Sequence, residues 1–109
     1  MVEDEAIIAL AIQDMLEQLG CMAVGPALTL QAGKQLAAVE EIDAAVLDIN
    51  LSGDSSHAVA QTLRDRVIPF CFSTGYGSAD VPRDFVDVPV LKKPYTCESL
   101  AAVLAQLLS

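Results

Sequence analysis

The chain has 109 residues and a mass of 11.5 kDa, the size of one domain, with 53% hydrophobic residues and a mean hydropathy of +0.46. No apolar run approaches the ~20 residues a membrane-spanning helix needs, and the acidic start lacks the basic segment of a signal peptide. A net charge of −9 repels phosphate backbones and anionic lipid, which argues against nucleic-acid or membrane binding.

In chain order, apolar stretches alternate with helix-like ones. Met1-Val2 reads as the stub of a first strand, ending in Glu3-Asp4. Ile8, Ile12, Met15, Leu16 and Leu19 recur at helical spacing, and Gly20 supplies a stop. Cys21 to Gly25 is expected as a second short strand, closed by Gly25-Pro26. Thr29 can cap a helix carrying Leu36 and Val39, which Gly33 weakens.

Ile42 to Leu47 reads as a third strand, apolar without alternation, as for a parallel strand covered on both faces. After Gly53, Ser55 or Ser56 can cap a helix bearing Val59 and Leu63. Ile68 to Ser73 is the fourth strand. Gly75, Gly77 and Pro82 make any helix before Val88 short or irregular. Val88 to Leu91 is the fifth strand, and its Pro89 favours a sheet edge. Thr96 caps a last helix whose stripe of Leu100, Leu104, Leu107 and Leu108 is expected to be buried.

Five strands and about five helices in strict alternation predict an α/β fold, a doubly wound parallel sheet with helices on both faces. In such sheets reactive groups gather outside the carboxyl ends of the strands. Glu3, Asp4, Asp48, Thr74 and Lys93 each follow a strand, so they are expected to meet at one edge.

That set specifies a chemistry. Two carboxylates ~5 Å apart repel by about 3 kcal/mol at an effective dielectric near 20. Lys93 offsets roughly one charge, and a divalent cation is expected to hold the rest. Mg²⁺ suits all-oxygen ligands. Asp48 is then a nucleophile toward a phosphorylated donor. The cation, Lys93, Thr74 and backbone N–H groups near Asn50 and Gly75 would stabilise the transferring group. Cys21, Cys71 and Cys97 lack a metal or disulfide spacing and read as thiols of a cytoplasmic protein. His57 reads as a surface or helix-capping residue.

These residues resemble those of a response-regulator receiver domain, over essentially the whole chain, residues 1–109, with no effector domain expected. The resemblance implies a flavodoxin-like strand order 2-1-3-4-5. It also implies a metal site from Glu3, Asp4, Asp48 and the Asn50 main-chain carbonyl, with Mg²⁺ as cofactor. Asp48 becomes the phosphoacceptor, Thr74 the switch hydroxyl, and Lys93 precedes a cis Pro94. The segment Phe72-Ser73-Thr74-Gly75-Tyr76 resembles a Phe-Ala-Thr-Gly-Tyr subgroup of largely single-domain receivers, with Ser73 in place of Ala.

Val90 stands where receivers usually carry a switch aromatic, and Tyr76 is the substitute candidate. The first strand is shorter than in the family.

The expected function is phosphoryl acceptance from a phosphohistidine of a histidine kinase or phosphotransfer protein, without enzymatic turnover. The donor would dock at Ala6, Ile7, Pro94 and Tyr95. Output would go to a downstream protein through the face bearing Arg83 and Lys92, from a monomer or weak homodimer. Two other readings are a degenerate receiver that binds partners without phosphorylation, and a haloacid-dehalogenase-like phosphatase. The phosphatase needs a second Asp where Asn50 stands.

Overall fold

Backbone hydrogen bonding in the computed structural model sorts the chain into an α/β domain. The structure describes residues 1–3, 6–39, 41–51, 54–75, 81, 83–93 and 96–108. Helix α1 (Ala6–Gln18) buries Ile12 and Leu16, while Leu19 lies at the rim. It stops in a Schellman turn. Gly20 takes φ +83°, its N–H donates to the Glu17 carbonyl at 3.0 Å, and the Cys21 N–H donates to the Leu16 carbonyl at 2.9 Å.

Helix α2 (Leu30–Val39) is capped as expected, the Ala32 N–H donating to Thr29 Oγ1 at 3.1 Å. Strand β1 (Ala45–Asp48) is buried along its whole length. A hairpin that the sequence pattern did not suggest follows: β2 (Asn50–Leu51) runs antiparallel to β3 (Asp54–Ser55), with Asn50 opposite Ser55.

Helix α3 (His57–Asp65) buries Val59, Ala60 and Leu63. Ser56 stands at its N-cap, but the hydroxyl donates to the Ile49 carbonyl at 3.0 Å instead of capping the helix. A second Schellman turn ends α3, with Val67 at φ +59° and the Ile68 N–H donating to the Leu63 carbonyl at 2.9 Å. Strand β4 (Phe70–Thr74) is again buried throughout.

Where a short or irregular helix was expected before Val88, the described residues form a 3-10 turn over Arg83–Phe85. Strand β5 (Val90–Lys92) begins just after Pro89. Helix α4 (Cys97–Leu108) opens with a reciprocal cap: the Ser99 N–H donates to Thr96 Oγ1 at 3.1 Å and the Thr96 N–H to Ser99 Oγ at 2.9 Å. It buries Leu100 and Leu104, but Leu108, expected in the buried stripe, is 56% exposed.

The parallel sheet has three strands among the described residues, in the order β1-β4-β5, rather than the five expected. Val2 and Ala27 contribute only single-residue parallel bridges, Val2 to Leu47 on one side and to Ala27 on the other. Pairing there is by single residues: the Ala27 N–H donates to the Met1 carbonyl at 2.9 Å and the Glu3 N–H to the Ala27 carbonyl at 3.0 Å. The expected strand at Cys21 to Gly25 meets Met1 through one contact, the Met1 amine to the Val24 carbonyl at 3.3 Å, and forms no ladder among the described residues. The Gly25–Pro26 peptide is cis; the expected cis bond before Pro94 lies outside the described residues.

Side chains alternate across the sheet. Leu47, Phe70 and Phe72 pack with Phe85, Val59 and Leu63 on one face, and Val46, Cys71 and Leu91 pack with Ile12, Leu16, Leu100 and Leu104 on the other. Phe70, Phe72 and Phe85 meet edge to face, centroids 5.6–5.9 Å apart. Among the described residues no helix is long and apolar enough to cross a membrane.

Candidate functional site

Parallel register brings the expected residues to one edge of the sheet. Asp48 is the last residue of β1 and pairs with Ser73, while Thr74, the last of β4, pairs with Lys92. The Lys93 N–H donates to the Thr74 carbonyl at 2.7 Å, which fixes the lysine just beyond β5. Glu3 is placed by its neighbour. Val2 donates its N–H to the Val46 carbonyl at 2.9 Å and accepts from the Asp48 N–H at 2.9 Å, and the Glu3 N–H then donates to Ala27 at 3.0 Å.

The side chains converge on the lysine. Lys93 Nζ lies 2.7 Å from Glu3 Oε2 and 3.2 Å from Asp48 Oδ2. Glu3, Asp48 and Thr74 are buried, at 1%, 6% and 3% exposure. Two carboxylates therefore share one ammonium in a place where water screens little. Burial first, then hydrogen bonding and charge repulsion from Glu3, push the Asp48 carboxyl up to about 7 against the pull of Lys93. Burial alone would lower the Lys93 ammonium, but Glu3 and Asp48 together outweigh it and hold its pKa above the usual lysine value.

Glu3, expected on the metal side, is also the closer of the two carboxylate partners of Lys93. Asp4, Tyr76, Pro94 and Tyr95 lie outside the described residues, so the site assembled here is Glu3, Asp48, Thr74 and Lys93. Asn50 follows Asp48 by two residues and enters β2. Among the described residues no group of three or more His, Cys, Asp or Glu gathers to hold a metal. Glu3 and Asp48 nevertheless form a buried, all-oxygen pair with more negative charge than one lysine offsets, which fits a hard divalent cation.

Other candidates go elsewhere. Val90 pairs with Phe72 and packs on the phenylalanine face. His57 starts α3, its Nε2 3.4 Å from Asp84 Oδ2 and its ring edge-on to Phe85 at 5.2 Å. Arg64 completes that contact between α3 and the 3-10 turn. Its guanidinium lies 4.5 Å over the Phe85 ring and donates to the Asp84 carbonyl at 2.7 Å and to Asp87 at 3.0 Å. The sequence held no signal for this clamp, because its partners lie about 20 residues apart. Ile7 is 85% exposed on α1, and Arg83 and Lys92 are exposed. All three cysteines are free, and burial pushes the Cys71 thiol up to about 12.

Fold and site together define the class: an α/β domain with an acid–lysine cluster at the carboxyl edge of a parallel sheet. Comparison with solved structures gives it a family. SdrG from Sphingomonas melonis Fr1 is 43% identical with a TM-score of 0.87, the match covering 99% of this chain and 92% of that one. SdrG from Pseudomonas melonis Fr1 in its BeF3-activated conformation is 42% identical over the same shares, with a TM-score of 0.83. The PhyR response regulator REC domain of Erythrobacter litoralis is 26% identical with a TM-score of 0.82, covering 99% of this chain and 86% of that one.

At 20% identity the fold alone is shared with the receiver domain of the sensor histidine kinase PA1611 from Pseudomonas aeruginosa PAO1. That structure has a magnesium ion coordinated in its active-site cleft, a TM-score of 0.83, and coverage of 98% and 93%. No family model and no curated protein matches the sequence. The chain belongs to the receiver domains of response regulators.

Proposed function

We propose that this receiver is a phosphoacceptor of two-component signalling, and that Asp48 takes the phosphoryl group. The observation that carries the reading is the Lys93 ammonium held between Glu3 and Asp48 at the carboxyl edge of the sheet. In the transfer, an Asp48 carboxylate oxygen forms a bond to phosphorus as the N–P bond of a donor phosphohistidine breaks. The electron pair of that bond returns to the imidazole, which takes up a proton. Lys93 would meet the negative charge of the phosphoryl oxygens, and the Thr74 hydroxyl would donate to them at the end of β4.

Glu3, Asp48 and the Asn50 main-chain carbonyl, with Asp4 beside them in sequence, would hold Mg²⁺. When bound, the cation neutralises charge on the transferring group. The magnesium described for PA1611 supports this choice of metal. The protein accepts and loses the group without turning over a substrate, and signals by contact with a downstream protein.

The start of α1, where Ile7 and Leu10 expose apolar surface, is the docking edge for a histidine kinase or phosphotransfer partner. We read the two bridges of Val2 as the remnant of strands 1 and 2 in the order 2-1-3-4-5. The Phe72-Ser73-Thr74-Gly75-Tyr76 segment supports placement in the single-domain subgroup, working in the cytoplasm.

Incubation with acetyl phosphate and Mg²⁺, followed by intact-mass measurement, tests the reading. One added phosphoryl group, absent in Asp48→Ala and lost in hydroxylamine, is the expected result. An unmodified chain, or modification that survives Asp48→Ala, overturns it.

A further inference from the structure

Ser73 is 1% exposed, and its hydroxyl has no hydrogen-bond partner among the described residues. A buried hydroxyl left in that condition has lost its water for nothing in return. Its place in the sheet supplies the reason. Alternation along β4 puts Cys71 and Ser73 on one face and Phe72 on the other, and Val46 and Leu47 divide the same way on β1. Asp48 and Ser73 are register partners, so both project on the Val46 and Cys71 face from strands ~4.8 Å apart.

On its other side Ser73 is paired with Leu91, which is apolar. Asp48 is thus the one polar side chain among its two cross-strand partners. Rotation about a single side-chain bond brings the hydroxyl toward that carboxyl group. An alanine would fill the same position without the desolvation cost.

We propose that Ser73 is a positioning residue of the phosphoacceptor site. Its hydroxyl donates to the carboxyl oxygen of Asp48 that does not carry the phosphoryl group. That donor is idle in the free form, so a bond formed on loading favours the loaded form. This rests on the phosphoacceptor reading given above and adds a group to that site.

The test uses the whole chain with Mg²⁺ and beryllium fluoride, comparing wild type with Ser73→Ala and Ser73→Cys. Calorimetry gives the affinity, and thermal unfolding is followed with and without the mimic. Both variants are expected to bind the mimic about three- to tenfold more weakly. Ser73→Ala in the free form should melt at or above the wild-type temperature. Affinity equal to wild type in Ser73→Ala overturns the proposal, as does an equal loss of melting temperature in free and loaded forms. A wild-type chain that does not bind the mimic, or binds it equally after Asp48→Ala, overturns the phosphoacceptor reading itself, and this proposal with it.

Discussion

Gly33 on α2 approaches Val2 so closely that a methyl group built on it would stand 3.0 Å from Val2 Cγ1 and 3.2 Å from Cγ2. The glycine that weakens the helix on propensity is there for packing. Val2 in turn carries the hydrogen bonds that place Glu3 beside Lys93.

Gly33→Ala should therefore destabilise the domain. Helix propensity favours alanine by roughly 0.5–1 kcal/mol, while forcing a methyl into a filled contact costs about 1–3 kcal/mol. Urea unfolding is expected to show a net loss of about 1 kcal/mol. A gain in stability would mean that Val2 moves aside freely.

Lys93→Met keeps the aliphatic stem and removes the charge between two buried carboxylates. Breaking a buried ion pair costs roughly 3 kcal/mol, and that loss should appear at pH 8. At pH 5 it should shrink, because Asp48, already pushed up to about 7, is then largely protonated and no longer opposes Glu3 as a charge. Equal losses at both pH values would remove the electrostatic account.

Asp48 itself gives a pH dependence of definite sign in the absence of divalent cations. Its folded-state pKa of about 7 lies above the ordinary 3.8, so the folded chain holds the proton more tightly. Its contribution to stability is full below pH 4 and falls as pH rises through 7. Wild type should lose about 2 kcal/mol relative to Asp48→Asn between pH 4 and pH 8, after allowance for residual solvent screening. Parallel curves for the two proteins would contradict the shift.

Val67 offers a stabilising change away from the site. It is 86% exposed and adopts φ +59°, a left-handed conformation that a β-branched residue resists. Val67→Asn or Val67→Gly should keep the Schellman turn and raise stability by about 0.5–1 kcal/mol. No gain on thermal unfolding would show that the strain is relieved elsewhere.

The acid–lysine cluster was legible because Glu3, Asp48, Thr74 and Lys93 each terminate an apolar run, and parallel strands deliver such ends to one edge. Helix limits at Gly20, Thr29 and Thr96 were legible for a local reason: their caps are formed by residues one turn away. Cys21 to Gly25 misled, since apolar composition does not report whether a segment joins a ladder. The hairpin of β2 and β3 carries no period at two residues per strand. Ser73 was visible only as a substitution for alanine; its importance comes from cross-strand register with Asp48, which no local pattern encodes.

The carboxyl ends of β4 and β5 also decide what ultraviolet emission can report. The chain has no tryptophan and two tyrosines, Tyr76 and Tyr95, each two residues beyond Thr74 or Lys93. Tyrosine fluorescence of an unlabelled sample therefore comes from two residues that closely follow Thr74 and Lys93 in sequence.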